Sequence, residues 1–198
     1  MALMDDVMHA LGSDGIDSLG RSLGLDSQST SQALSAAIPM LLSSLSRNAA
    51  SPEGEAALAA VIDRDHDGSV FDDIGGFLGR AGREGDGEKI LAHALGGQKQ
   101  AAARAVGGAG GIDTAKAMHL LAMAAPLVLS AIGRARKKGH VQSGQLGSYL
   151  DSETHALQQR SSGAMDMITK VLDADHDGSV FDEIASAGAA LFGSLHAR

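Results

Sequence analysis

The stretch Asp63-Arg64-Asp65-His66-Asp67-Gly68-Ser69-Val70-Phe71-Asp72-Asp73-Ile74 returns as Asp173-Ala174-Asp175-His176-Asp177-Gly178-Ser179-Val180-Phe181-Asp182-Glu183-Ile184, with ten of the twelve positions identical. Ten of the chain's 24 acidic residues fall inside these two windows, so its net charge of −8 is concentrated there. Carboxylates at alternate positions around an obligatory glycine suit a hard divalent cation, which takes six to eight oxygens. Acidic turns capping a following helix would account for one or two acids per loop. They would not account for five around a glycine, twice.

The flanks of both windows read as helix. Leu34, Ile38, Leu41, Leu42 and Leu45 keep the i, i+3, i+4, i+7 spacing behind a Ser29-Thr30-Ser31 cap region. Ser51-Pro52 offers an N-cap and a first-turn proline for a helix through Leu58, Val61 and Ile62. Met165, Ile168, Val171 and Leu172 repeat that face before the second window. A further helix is predicted after each, through Phe71, Ile74, Phe77 and Leu78, and through Phe181, Ile184 and Leu191. No strand is predicted.

The windows lie 110 positions apart (173 minus 63), and two prolines in apolar helices, Pro39 and Pro126, lie 87 apart. Val7-Met8-His9-Ala10-Leu11-Gly12 resembles Ile90-Leu91-Ala92-His93-Ala94-Leu95-Gly96. The reading is an all-α chain of two related multi-helix repeats, residues 1–82 and 83–198, with about 23 extra residues (110 minus 87) near 134–160. The Gly82–Gly87 stretch is the expected boundary, and a second glycine-rich stretch runs from Gly107 to Gly111.

Helix, acidic loop and helix together resemble the EF-hand superfamily. Asp63, Asp65 and Asp67 stand at loop positions 1, 3 and 5, Gly68 at position 6, and the Ser69 carbonyl at position 7. Asp173, Asp175, Asp177, Gly178 and Ser179 match them in the second loop. Position 12, the bidentate Glu of an EF-hand, is Ile74 or Ile184 here. A shortened loop closed at position 11 (Asp73, Glu183) is expected, with position 10 (Asp72, Asp182) as the alternative. Calcium is the expected ion, one per loop; magnesium fits less well because it demands a stricter octahedron. His66 and His176 at position 4 are expected to face solvent or to pack between the repeats rather than to ligate, since hard oxygen sites do not recruit imidazole.

Other signals are weaker. Gly20-Arg21-Ser22-Leu23-Gly24 matches a nucleophile elbow in letters but lacks the preceding strand that motif needs. Arg134, Arg136, Lys137 and Lys138 end an apolar helix and are expected to complement its dipole. Gly75 and Gly79 are expected to let their helix approach a neighbour closely. The acidic balance argues against nucleic acid. The chain has no cysteine, which excludes disulfides and thiolate sites. The start, Met1-Ala2-Leu3-Met4-Asp5-Asp6, predicts no secretory signal, and no compartment follows from composition. The apolar run Leu120–Ile132, with Pro126 inside it, predicts a buried helix and no membrane span.

Gly-punctuated helices, the Ala125-Pro126-Leu127-Val128-Leu129 helix and the acidic run together resemble the YidB-like bacterial domain of unknown function. That resemblance implies an all-helical domain and no established activity. The expected function is non-enzymatic: Ca2+ orders the loops and stabilises the scaffold, which supports self-association into oligomers or filaments. The alternative is a calcium sensor or buffer that binds a partner protein.

Overall fold

A computed structural model describes residues 3–81, 86–142 and 144–160. Its regular elements are all helical: α1 (Leu3–Leu23), α2 (Ser27–Asn48), α3 (Pro52–Asp65), α4 (Ile74–Ala81), α5 (Asp86–Leu95), α6 (Lys99–Gly110), α7 (Thr114–Lys137) and α8 (Leu146–Arg160). Short 3-10 turns cover Ser69–Asp72 and Gly96–Gln98. The all-α expectation is met among the described residues. The second acidic window, and the helices predicted around it, lie outside them.

Capping chemistry sets most boundaries. Ser51 caps α3 as expected, its hydroxyl accepting from the Gly54 N–H at 3.1 Å with Pro52 behind it. α2 begins earlier than the Ser29-Thr30-Ser31 cluster suggests. Asp26 is its cap, accepting from the Ser29 N–H at 2.8 Å. That bond holds the Asp26 carboxyl below the usual carboxylate range. Asp113 caps α7 in the same way, accepting from the Lys116 N–H at 2.8 Å. Gly24 and Gly111, each two residues ahead of its cap, both take left-handed backbone, at φ 63° and 64°.

α7 is the axis of the protein. By length and composition alone it would cross a bilayer, but it is the buried core helix, enclosed by α1, α2, α5 and α6. Leu34, Ile38, Leu41, Leu42 and Leu45 of α2 are buried as their spacing predicts. One continuous cluster joins them to Val7 and Leu11 of α1, Leu91 and Leu95 of α5, and Leu120 to Ile132 of α7. α8 closes the side of α2, tied by Glu153 to the Leu3 N–H at 2.6 Å and by Arg160 to Asp5 at 2.8 Å.

With so few aromatic residues, close packing comes from small ones. Pro126 removes the N–H that would bond the Ala122 carbonyl four residues back. α5 crosses there. A β-carbon at Gly87 would lie 1.9 Å from that carbonyl oxygen. In the second glycine-rich stretch Gly107, Gly108 and Gly110 lie inside the last turns of α6, which Gly111 caps. A β-carbon at Gly110 would sit 2.7 Å from that of Ala33 on α2. Gly75 and Gly79 differ from expectation, for both face open space. The Gly20–Gly24 stretch is the end of α1 and its left-handed exit, so the strand that a nucleophile elbow needs is a helix.

Two substitutions separate close approach from conformational freedom. Gly87→Ala should cost about 1–3 kcal/mol by overpacking α5 against α7. Gly108→Ala, on an open face within α6, should gain about 0.5–1 kcal/mol. Urea unfolding midpoints should therefore move in opposite directions.

Candidate cation-binding loop

Residues 63–74 do lie between two helices, but α3 does not stop before them. It runs through Asp65 and ends at His66. At 3.6 residues per turn, Asp63 and Asp65 are therefore roughly 200° apart around one helix axis. Gly68 then turns the chain with φ 92°, a conformation that penalises any β-carbon. Ser69 follows at the start of the 3-10 turn, its N–H bonded at 3.0 Å to the Asp67 carboxylate. Asp73 caps α4, accepting from the Gly76 N–H at 2.8 Å. One oxygen of the expected position-11 ligand thus already serves the helix N-terminus.

The loop backbone is pressed onto the end of α7. A β-carbon at Gly68 would come within 2.8 Å of the Arg134 β-carbon. One at Gly133 would lie 2.0 Å from the His66 carbonyl oxygen. Two glycines facing each other's chains allow the loop to dock directly against a helix. Gly68 has two reasons to be glycine, and only the turn was legible from the motif.

Docking brings the acids to the basic end of α7. Arg136 holds Asp63 with two hydrogen bonds, of 3.1 and 3.0 Å, and its side chain is only 14% exposed. Lys137 meets Asp67 at 2.6 Å. Arg134 reaches Asp72 at 3.3 Å, and its guanidinium lies 5.1 Å from the centre of the Phe71 ring. Asp65 faces elsewhere and pairs with its neighbour Arg64 at 2.6 Å. The basic cluster was expected only to complement the α7 dipole. It does occupy the last turn, but Arg134, Arg136 and Lys137 each also neutralise one acid of the loop.

Asp63, Asp65, Asp67 and Asp72 therefore each have a cationic partner while Asp73 serves the α4 cap, and among the described residues no three His, Asp or Glu side chains are gathered to hold a metal ion. Asp63, Asp65, Asp67, Ser69, Asp72 and Asp73 share one short segment without pointing to one centre. Asp173, Asp175, Asp177, Ser179, Asp182 and Glu183 lie outside the described residues. His66 is half-buried at the end of α3.

Beside the loop runs a cavity of about 1080 Å³ between α3, α4, α5 and α7, with Leu58, Val61, Phe77, Ile90 and Leu129 on its apolar walls. His66, Ser69 and Val70 form its loop-side rim. Sequence reasoning did not anticipate it, because its walls come from separated segments, with Leu45 and Asn48 of α2 joining those four helices and the loop. None of its described lining residues is methionine. Met40 and Met123 are instead buried in the core.

Over the described residues the architecture is all-helical, with an acidic helix–loop–helix docked on the central helix. The model of a bacterial protein family of unknown function, DUF937, matches residues 5–135, and the chain belongs to that family. That span takes in the first acidic loop and nearly all of α7, and ends before α8. No curated protein and no solved structure matches the chain.

The Lys137 ammonium beside Asp67, together with the Ser69 side chain and N–H, holds the Asp67 carboxyl far below the usual carboxylate range. A carboxyl depressed by folding adds stability that is complete above its unfolded value and is lost as pH falls through the folded one. Asp67 should thus stay ionised well below pH 4, where an ordinary Asp titrates near about 3.9. In Lys137→Gln its NMR-detected midpoint should rise toward that ordinary value. An unchanged midpoint would show that Lys137 does not contact the loop in solution.

Proposed function

We propose that the protein is a non-enzymatic helical scaffold that binds a divalent cation, Ca2+, at the acidic loop 63–74 and at its copy 173–184. The observation that carries this reading is the Asp-x-Asp-x-Asp-Gly run itself, written twice in one chain. Gly68 with left-handed backbone at position 6, and helices on either side, support it in the first loop. Asp63, Asp65, Asp67 and the Ser69 carbonyl would supply oxygens, with Asp72 or Asp73 closing the shell; Asp72 keeps both oxygens clear of the α4 cap. The matching caps at Asp26 and Asp113, 87 positions apart (113 minus 26) like the prolines, support a duplicated origin.

A purely structural ion would stabilise the fold by about 2.7 kcal/mol per site at a hundredfold excess over Kd. The same ordered surface would then support self-association. One observation favours the second reading, a sensor or buffer. The loop is already tethered to α7 by its own ion pairs, so an ion would rearrange it rather than simply fill it. The cavity bordering the loop is where such a rearrangement would be felt by a partner protein.

Calorimetric titration tests the reading. Two saturable Ca2+ sites are expected, with weaker Mg2+ binding; Asp65→Ala should remove one and Asp175→Ala the other. Wild-type protein that takes up no Ca2+ at millimolar concentration would overturn it.

A further inference from the structure

Four features outside the ion-binding reading bear on how the loop works. Asp63 and Asp65 still belong to α3 and diverge around its axis. Asp63 is gripped by an Arg136 that is itself largely buried. Asp67 and Asp72, at positions 5 and 10, are held by Lys137 and Arg134 of the same helix end. The backbone contacts of Gly68 with Arg134 and of His66 with Gly133 involve no carboxylate at all.

A divalent cation needs several oxygens at about 2.3–2.6 Å from one point. Carboxylates on opposite sides of a helix cannot meet that demand, nor can Asp63 while both its oxygens accept from Arg136. We propose that the basic end of α7 is an internal counter-ion that a divalent cation must displace, so that ion binding unwinds the last turn of α3 and frees Arg136 and Lys137. This deepens the ion-binding reading above and rests on it. The glycine contacts would remain as the hinge, because they hold backbone to backbone. The loop would then exchange one set of cations for another rather than pass from empty to filled. Release of Arg136 and Lys137 from their acids would leave a basic face at the end of α7 beside the cavity. The helix end would thereby report the state of the loop to the core helix.

The test compares wild type with Arg136→Gln and with Lys137→Gln, the second being an exposed position whose loss should leave folding intact. Calcium affinity is read by calorimetry, and the backbone state of residues 63–65 by NMR chemical shifts during the same titration. Each variant should bind Ca2+ at least about two- to fivefold more tightly, since one competing ion pair is removed, exposed at Lys137 and partly buried at Arg136. In wild type the 63–65 shifts should leave helical values as Ca2+ is added. Tight binding by the variants with none by wild type would also support displacement. Wild-type binding that neither variant changes, or that leaves 63–65 helical, would overturn displacement while sparing the ion-binding reading. Failure of all three proteins to bind would overturn both.

Discussion

The closeness of the acidic loop to the end of α7 is the constraint on which the rest of the site depends. Gly68 and Gly133 lack the β-carbons that would hold the two chains apart. Because they do, three acids come within reach of three bases that lie about seventy residues away in sequence. Either set alone would be a run of like charge at a cost in repulsion. Docked, each supplies the other's counter-ions. Exposed pairs of this kind contribute little singly. Their effect here is to select which way each carboxylate faces, and the partly buried Arg136 does so with two bonds to Asp63.

The same device of small residues builds the core. α5 and α6 approach α7 closely where Gly87 meets Ala122 and Gly107 meets Ala117, and Leu, Ile, Val and Met fill the core around them. Pro126 opens the backbone of α7 at the level where Gly87 of α5 arrives, so a local defect in one helix coincides with the closest approach of another. The cavity lies alongside, between the helix that carries Pro126 and the helices that flank the loop. Loop, cavity and core helix are therefore neighbours, and a shift in the first reaches the other two directly.

Much of this was legible in the sequence. Helical periodicity identified the buried face of α2, Ser51-Pro52 marked the start of α3, and Leu120–Ile132 announced a core helix. Local capping competition misplaced the start of α2, where Asp26 outcompetes the hydroxyls that follow it. What stayed hidden was long-range. Nothing local says that Arg136 will meet Asp63, so α7's basic end reads as a dipole complement. Nor does the acidic motif reveal that α3 continues through Asp65, which turns the first two ligands away from each other. Glycines misled for a related reason: Gly75 and Gly79 face open space, and Gly133, which carries the loop, sits unremarked in an apolar run.

The central claim is the docking of the loop on α7, and proton–proton NOEs in the labelled protein test it most directly. The account predicts cross-peaks from the Gly68 α-protons to the Arg134 side chain, and from the Gly133 α-protons to His66. A loop whose protons show contacts only within residues 63–74, and none to 133–137, would contradict it.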